Sequence, residues 1–253
     1  MQKNRPIIIT MASLKGGVGK STLTILFAFI LKNLHKKVLL IDVDPQNSLT
    51  SYFEQNLNDI KKYNIYRMLK EEVYFEQCIN RIDDSISFIP SHPVLDDFNW
   101  EYFENKEDYL KNNLSQNMLN YNFDYILIDT PPSKDFLFQN ALSAADHIII
   151  PVQVEKWAIE SLNILMEIIG KFQNIKNKIY YISIVENLFI KNRNTLKEVE
   201  RALYKKYEKY IKGKIHNYNS IKIFIHEVLE PSKNEIYYKE AENALKNILT
   251  SQH

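Results

Sequence analysis

A glycine-rich loop near the N-terminus carries residue types suited to holding phosphate. The string Leu14-Lys15-Gly16-Gly17-Val18-Gly19-Lys20-Ser21-Thr22 follows a short apolar run and precedes a stretch with helical length and spacing. Glycines let the backbone approach a ligand closely, and successive N–H groups at a helix N-terminus form an anion-binding nest. Lys20 would reach the β- and γ-phosphates, and the Ser21 hydroxyl would ligate Mg²⁺. The loop therefore predicts a nucleotide site, although Leu14 stands where the general pattern G-x-x-x-x-G-K-[ST] has glycine.

Two aspartates stand at the ends of apolar runs that are typical of buried strands. Asp42 follows the run 38–41, and Asp129 follows the run 125–128. Because the carboxyl ends of parallel strands meet at one edge of a sheet, we expect both carboxylates beside the glycine loop. Carboxylates often hold Mg²⁺ through water, so Asp129 is predicted to be the acidic residue of a magnesium site. A strand-end aspartate can also cap a helix, but two of them beside the loop favour the metal interpretation.

Apolar runs alternate with helical patterns along the whole chain. Runs rich in Ile, Val and Leu on both faces, separated by helices, indicate a parallel sheet with helices on each side. We predict an α/β fold of the P-loop NTPase type, a single domain over residues 1–253 with a mostly parallel twisted sheet of about seven strands. Strands are predicted at 7–9, 38–41, 86–89, 125–128, 147–152, 179–185 and 221–225, and helices at 21–33, 101–119, 135–143, 155–171, 194–211 and 233–250.

Composition excludes several classes of protein. Apolar residues make up 45% and charged residues 25%, which suits a globular core and excludes intrinsic disorder. The single cysteine, Cys78, excludes an intramolecular disulfide framework. The longest apolar run, 23–31, is shorter than the roughly 20 residues of a membrane span, and no signal peptide is recognisable. We therefore expect a cytoplasmic protein. Because the first strand begins at residue 7, we expect no helix-turn-helix domain before it.

The net charge of +1 conceals two oppositely charged regions. Residues 52–135 hold 16 acidic and 8 basic side chains, whereas residues 171–222 hold 13 basic and 4 acidic ones. Blocks of one sign produce local fields that a whole-chain sum hides. They are either two solvated faces or, for the basic block, a surface that contacts an anionic partner.

The glycine loop with its additional lysine, Lys15, resembles the deviant Walker A loop of the ParA/MinD family of ATPases. The string Asp42-Val43-Asp44-Pro45-Gln46 resembles the family's second motif, and Asp129-Thr130-Pro131-Pro132-Ser133 resembles its switch II. The segments 64–69, 88–91, 144–146, 150–152 and 158–160 are also similar, and the first two favour the ParA partition branch. The resemblance covers nearly the whole chain.

The resemblance implies a homodimer that encloses two ATP molecules with Mg²⁺. Lys15 would reach across to the partner's nucleotide and act with Lys20 and Asp44 in catalysis, Asp44 by positioning the attacking water. Asp42 would support the magnesium shell of Ser21 and Asp129. The residues implied to bind nucleotide are Lys15, Gly16, Gly17, Val18, Gly19, Lys20, Ser21, Thr22, Asn187 and Pro231.

For the ParA branch, the implied function is DNA partition. The ATP-bound dimer would bind DNA non-specifically on the nucleoid, and a ParB-like centromere-binding partner would stimulate hydrolysis. The basic region supports this, since lysine-rich surfaces bind phosphates in a sequence-independent, salt-sensitive way. The candidate DNA contacts are Lys191, Arg193, Lys197 and Arg201.

Three other functions remain open at this point. A MinD-like membrane-cycling ATPase would need a basic amphipathic helix at the C-terminus. The stretch 239–249 has nearly balanced charge, so we predict a core-packing helix there and expect no membrane partner. The chain could also position another cargo, or act as a nucleotide-gated adaptor that hydrolyses ATP only slowly.

Overall fold

One mostly parallel sheet forms the centre of the molecule. The computed structural model describes residues 5–190 and 196–250, and within them eight strands lie in the order β3-β4-β2-β5-β1-β6-β7-β8. Every neighbouring pair is parallel except β3 and β4. Strands β1 to β8 are Ile7–Met11, Val38–Asp42, Asn80–Arg81, Ile86–Ile89, Tyr125–Asp129, His147–Val152, Tyr181–Phe189 and Ile211–His216.

Helices cover both faces of this sheet. Alternate side chains of a strand point to opposite faces, so Leu40 packs in a cluster with the first and last helices while Leu39 and Ile41 pack in another on the opposite face. This two-sided burial explains the continuous apolar runs of the central strands. Helices α1 to α11 are Lys20–Asn33, Ser48–Phe53, Ile65–Leu69, Phe75–Cys78, Asp97–Trp100, Tyr109–Asn117, Phe136–Ala144, Ala158–Lys176, Lys197–Tyr207, Asn219–His226 and Ile236–Thr250.

The fold class is confirmed, but one predicted strand is wrong. Residues 221–225 lie within α10, where Ile221, Phe224 and Ile225 have the spacing of one helical face. The last strand is instead β8, at the end of the predicted helix 194–211 and beyond it. Its sequence, IKGKIH, alternates weakly because β8 is an edge strand and only partly buried. The sheet therefore has eight strands, and α10 rather than a strand follows β8.

Close packing of the last helix against β8 explains a glycine in that strand. A Cβ atom on Gly213 would lie 2.5 Å from the Cβ of Ala244, on α11. Only glycine therefore lets α11 approach the strand this closely. The predicted helix 101–119 is also shorter than expected, because regular α-helix covers only α6, Tyr109–Asn117, with 3₁₀ turns at Lys106–Asp108 and Met118–Asn120.

Candidate nucleotide site

The sheet register brings the predicted acidic residues to one edge. Strand β5 lies between β1 and β2, and Asp129 is paired with Met11 on one side and with Asp42 on the other. The glycine loop leaves β1 directly after Met11 and ends where α1 begins at Lys20. Three neighbouring strand ends therefore place two carboxylates against the loop, as expected for ligand binding in parallel sheets.

Two glycines allow the loop to take its shape. Gly17 has φ of +74° and Gly19 has φ of +84°, both in the left-handed region. A Cβ atom on Gly19 would also lie 2.5 Å from Nδ2 of Asn187 at the end of β7, so a larger residue has no room there. The same Nδ2 donates a hydrogen bond of 2.8 Å to the carbonyl oxygen of Val18. Asn187 thus supports the loop from behind.

Lys20 is a buried cation without a counter-ion. It is 7% exposed and makes no ion pair among the residues that the structure describes. Burial lowers the pKa of its ammonium group, while Asp129 and Asp44 act in the opposite direction. A buried, unpaired charge is costly unless a ligand of opposite sign compensates it. The site is therefore built to receive an anion.

Asp129 complements the buried ammonium group of Lys20 because it is a buried carboxylate. Neither carboxylate oxygen has a hydrogen-bond partner in the described part of the chain. Burial raises the pKa of Asp129 to about 7, against the opposing effects of the nearby Ser21 hydroxyl and Lys20. Hard, unpaired oxygens beside a hydroxyl fit Mg²⁺, directly or through water. Within the described residues no cluster of three or more His, Cys, Asp or Glu could hold a metal, so a bound metal here would also need phosphate oxygens.

Asp42 has a different environment from Asp129. Its Oδ1 accepts the N–H of Asp44 at 3.0 Å, and its Oδ2 accepts the N–H of Thr50 at 2.9 Å and the Thr50 hydroxyl at 2.7 Å. Burial, together with the neighbouring Asp129, raises its pKa. In this arrangement Asp42 fixes the turn that carries Asp44 and the start of α2.

Asp44 lines the site rather than supporting it. One carboxylate oxygen accepts the N–H of Gln46 at 2.9 Å, which closes a tight turn. Burial raises its pKa, while the Gln46 N–H and Lys20 act to lower it. The residue borders the cavity in front of the loop.

The cavity has a volume of about 650 Å³. Polar groups that line it come from the glycine loop, Lys20, Ser21 and Asp44, and these suit phosphate. Ile25, Leu188, Ile221 and Ile225 contribute apolar side chains to the same cavity. The lining residues that the sequence analysis did not place at the site are Ile25, Ser48, Tyr52, Leu188, Asn217, Ile221, Lys222 and Ile225.

The α10 contribution was missed because residues 221–225 were assigned to a strand. The helical spacing of Ile221, Lys222 and Ile225 was the signal that could have revealed it. Of the two residues expected at the nucleotide base, Asn187 contacts the loop and Pro231 is absent from the cavity lining. Their contact with a nucleotide stays a prediction.

Lys15 lies apart from this cavity. It borders a smaller depression beside the loop, and its ammonium group forms an ion pair with Glu155, which follows β6. Both side chains are more than one-third exposed, so the pair is a surface one. The ammonium group of Lys15 is therefore accessible at the surface and does not line the cavity in front of its own loop.

Part of the charge in the basic region is compensated by acidic neighbours. Lys191 and Arg193 lie outside the described residues. Lys214, included in the basic count, pairs with the buried Glu186 at 3.2 Å and also with Glu200, so its charge is compensated. Four exposed cations on α9 form no ion pair among the described residues: Lys197, Arg201, Lys205 and Lys206. The first three recur every four positions and so share one helix face, whereas Lys206 donates a hydrogen bond to Asn163.

Comparison with known proteins decides the family. Residues 7–182 match a family profile described as an AAA domain. A Borrelia burgdorferi B31 protein described as a plasmid partition protein, solved with bound AMPPNP, superposes with a TM-score of 0.87 at 38% identity, covering 98% of this chain and 100% of that one. This chain belongs to the ParA/MinD family of ATPases, on its partition branch.

Two further relatives are similar to this ParA-like chain over two thirds of its length. The sporulation initiation inhibitor protein Soj of Bacillus subtilis (strain 168) is 32% identical over 171 residues, which is 67% of each chain. The maintenance of carboxysome distribution protein A of Synechococcus elongatus is 28% identical over 180 residues, again 67% of each. Among the described residues of this ParA-like chain, none of the helices combines the length and the apolar character that a membrane span requires.

Proposed function

We propose that this chain is a DNA partition ATPase that binds ATP with Mg²⁺, dimerises around it, and hydrolyses it when a centromere-binding partner is present. The observation that carries the nucleotide step is the pair of buried groups Lys20 and Asp129: Lys20 lines the cavity and forms no ion pair among the described residues, and the nearby carboxylate oxygens of Asp129 have no hydrogen-bond partner there. A lone phosphate would satisfy the lysine, but the acid needs a cation as well. A metal–triphosphate complex supplies both charges.

The glycine loop and the polar residues beside it have proposed parts in phosphoryl transfer. The N–H groups of the glycine loop and Lys20 hold the phosphates, while Ser21 and Asp129 hold the metal. Bound Mg²⁺ would neutralise charge that develops on the phosphate oxygens. Asp44 orients the attacking water, and Asp42 keeps Asp44 in place through its backbone hydrogen bond. Catalysis of this kind depends on positioning and charge neutralisation.

Lys15 has its proposed role in the dimer. Because it does not line its own cavity, it would leave Glu155 and reach the nucleotide of the partner subunit. An exposed ion pair is worth only about 0 to 1 kcal/mol, so a triphosphate competes with Glu155 easily. Hydrolysis would then require two subunits.

DNA binding is proposed for α9. The stripe of Lys197, Arg201 and Lys205 presents three exposed cations along one helix. The opposite side of α9 is buried through Leu203 and Tyr207, so the helix is held with this stripe facing solvent. Such a surface fits phosphates without reading bases, which leaves recognition of a particular site to the partner protein.

ATP-dependent dimerisation tests the proposal directly. We expect sedimentation velocity to give a monomer alone and a dimer with ATP and Mg²⁺, and we expect non-specific DNA to co-sediment with the dimer only. Lys15→Ala should retain ATP but not hydrolyse it. The neighbouring exposed Lys156→Ala is the matched control and should behave like the unmodified chain. A chain that remains monomeric with ATP, or binds DNA equally with ADP, would contradict the proposal.

The second candidate is a role in positioning a cargo other than a replicon. Similarity to the carboxysome distribution protein favours it. The two candidates share the ATP cycle and differ in the partner that stimulates hydrolysis. Purified centromere-binding protein encoded with this chain should stimulate turnover if partition is correct, and should have no effect if another cargo is served.

A further inference from the structure

A second hollow lies at the end of the sheet opposite to the nucleotide cavity. It is bordered by Arg5, which precedes β1, by Asp146, which precedes β6, and by Lys178, which precedes β7. Helix α6 and the turn that follows it contribute the rest of its lining. We term this hollow the amino-edge pocket, because it lies at the amino ends of three parallel strands. Its volume of about 340 Å³ reaches the lower limit of about 300 Å³ for small-molecule sites.

The amino-edge pocket has an excess of positive charge. Among the described residues, the charged groups that border it are three cations, Arg5, Lys111 and Lys178, and one acid, Asp146. Asp146 is already engaged, since its carboxylate accepts the two terminal N–H groups of Arg5 at 2.8 and 2.9 Å and the backbone N–H of Ile8 at 3.0 Å. Lys111 and Lys178 form no ion pair in the part of the chain that the structure describes. Two cations of the pocket are therefore left without a counter-ion.

The ammonium group of Lys178 is held at the pocket although its surroundings disfavour a charge. Its Nζ donates to the carbonyl oxygen of Ser143 at 3.0 Å. Burial lowers the pKa of Lys178, and Asp146 opposes this effect. The neighbouring charges of Lys111 and Arg5 lower the same pKa further. Because like charges that converge on a partly buried group repel one another, a bound anion would relieve them.

The remainder of the pocket lining is apolar. Ile8, Leu114, Met118 and Ala144 border it, and each is at most 8% exposed. An inorganic ion would leave these side chains facing water, whereas a ligand with an apolar body would cover them. A ligand without charge would leave the cations uncompensated. The lining therefore suits a molecule that has both an anionic group and an apolar body.

We propose that the amino-edge pocket binds a small organic anion, with its carboxylate, sulfonate or phosphate group at Lys111 and Lys178 and its apolar body against Leu114 and Met118. The two ammonium groups would donate charge-assisted hydrogen bonds to the anionic group. Strand β1 separates this pocket from the glycine loop, so the ligand would bind without displacing a nucleotide. The inference does not depend on the proposed function.

Two variants and one matched control test the pocket. The first variant, Lys111→Gln with Lys178→Gln, removes both unpaired charges. The second, Ser115→Trp, adds a large side chain at an exposed position that borders the pocket and leaves every charge in place. The control, Lys61→Gln with Lys62→Gln, removes the same charge from exposed lysines outside the pocket.

Thermal unfolding shows whether each variant retains the stability of the unmodified chain. If the double lysine variant is unstable because Lys178 is partly buried, Lys111→Gln alone replaces it, since Lys111 is exposed.

The probe is the fluorescent anion anilinonaphthalene sulfonate, titrated into the full chain with and without ATP and Mg²⁺. We expect the lysine variant to bind it about tenfold more weakly, Ser115→Trp about fivefold more weakly, and the control to change by less than about twofold. Affinities of both variants equal to that of the control would overturn the proposal. Complete displacement of the probe by ATP would overturn it too, because the probe would then occupy the nucleotide cavity.

Competition against the same probe tests the class of ligand. Naphthoate combines charge with an apolar body and should displace the probe. Inorganic phosphate lacks the apolar body and naphthol lacks the charge, so each should compete at least about tenfold more weakly than naphthoate. If inorganic phosphate competes as well as naphthoate, the apolar lining takes no part in binding, and if naphthol does, the cations take none. Either result would overturn the inference.

Discussion

Charged side chains are buried at the nucleotide edge, by which we mean the glycine loop and the carboxyl ends of β1, β2 and β5, and are exposed on the surface of α9. At the edge, among the described residues, the buried Lys20 forms no ion pair and the buried carboxylate oxygens of Asp129 have no hydrogen-bond partner. On α9, Lys197, Arg201 and Lys205 stand in solvent. Burying an unpaired charge costs free energy, whereas an exposed charge costs almost nothing. The edge therefore favours a ligand that compensates its buried charges, whereas the exposed cations of α9 can bind many anionic ligands.

This difference sets the size of mutational effects. A ligand that relieves buried, uncompensated charge gains from each group separately, so single substitutions at the edge should be severe. On α9 each phosphate contact is screened and shared, so effects should be small and additive. The contrast would be contradicted by an edge substitution with little effect on ATP binding or turnover, or by a single α9 substitution that abolishes DNA binding.

The most severe test of the edge is Lys20→Ala. Because the ammonium group is buried and would be compensated by phosphate, its loss should weaken ATP binding by about 4 kcal/mol, close to a thousandfold. Isothermal titration calorimetry with ATP and Mg²⁺ measures this. Lys239→Ala, an exposed lysine on α11, is the control and should bind ATP normally. An affinity for the Lys20 variant within tenfold of the unmodified chain would reject the phosphate-loop assignment.

Asp44→Asn separates binding from turnover at the same edge. The amide keeps an oxygen that can accept the Gln46 N–H, so the turn should survive. Loss of the carboxylate that orients water should lower the turnover number by about a hundredfold while ATP affinity changes by less than about threefold. Phosphate release under saturating ATP measures turnover. Normal turnover would remove Asp44 from the proposed mechanism.

The α9 surface predicts a smaller, distributed effect. Replacing Lys197, Arg201 and Lys205 together by alanine removes up to three phosphate contacts. The slope of log affinity against log salt should fall by about 2.7, and affinity near physiological salt should fall by about twentyfold. Each single substitution should cost about threefold. Retention of non-specific DNA by the ATP-bound protein, measured across a salt series, gives both quantities. A control that removes Lys61, Lys62 and Lys239 should leave the slope unchanged.

The sequence revealed the nucleotide edge well because its signals are local. Glycine at positions that need a left-handed backbone, a lysine and serine at a helix start, and acids directly after buried strands are all visible in a few consecutive residues. Their meeting at one edge follows from parallel strand pairing alone. The same logic predicted helices on both faces of the sheet.

What the sequence concealed depends on long-range contacts. Residues 221–225 fit both a strand and a helical spacing, and packing of Ile221 and Phe224 against the core decides for a helix. The compensation of Lys214 by Glu186 and Glu200 involves residues far apart along the chain. The exposure of Trp100 and Tyr102 could not be read from composition, since aromatic residues usually pack.

The pH dependence of stability gives the smallest expected effect and tests the edge without any ligand. The pKa of Asp129 is about 7 in the folded chain, well above its ordinary value of 3.8, and the pKa of Asp42 is raised in the same direction. The folded state therefore holds these protons more tightly than the unfolded state. As pH rises from about 4 towards 7, the folded chain must release them against burial, so the free energy of unfolding should fall.

Asp129→Asn removes the titration of the Asp129 carboxylate and also removes a neighbouring negative charge that raises the pKa of Asp42. Its free energy of unfolding should therefore decline less between about pH 5 and pH 8, by on the order of 1 kcal/mol. Urea unfolding at the two pH values, without nucleotide or metal, measures the difference. The α9 triple variant is the matched control, since it alters no residue of the nucleotide edge and should leave the decline unchanged. If Asp129→Asn shows the same decline as the unmodified chain, the carboxylate is not held in the folded state as a buried acid awaiting a cation, and the contrast between the two regions loses its physical basis.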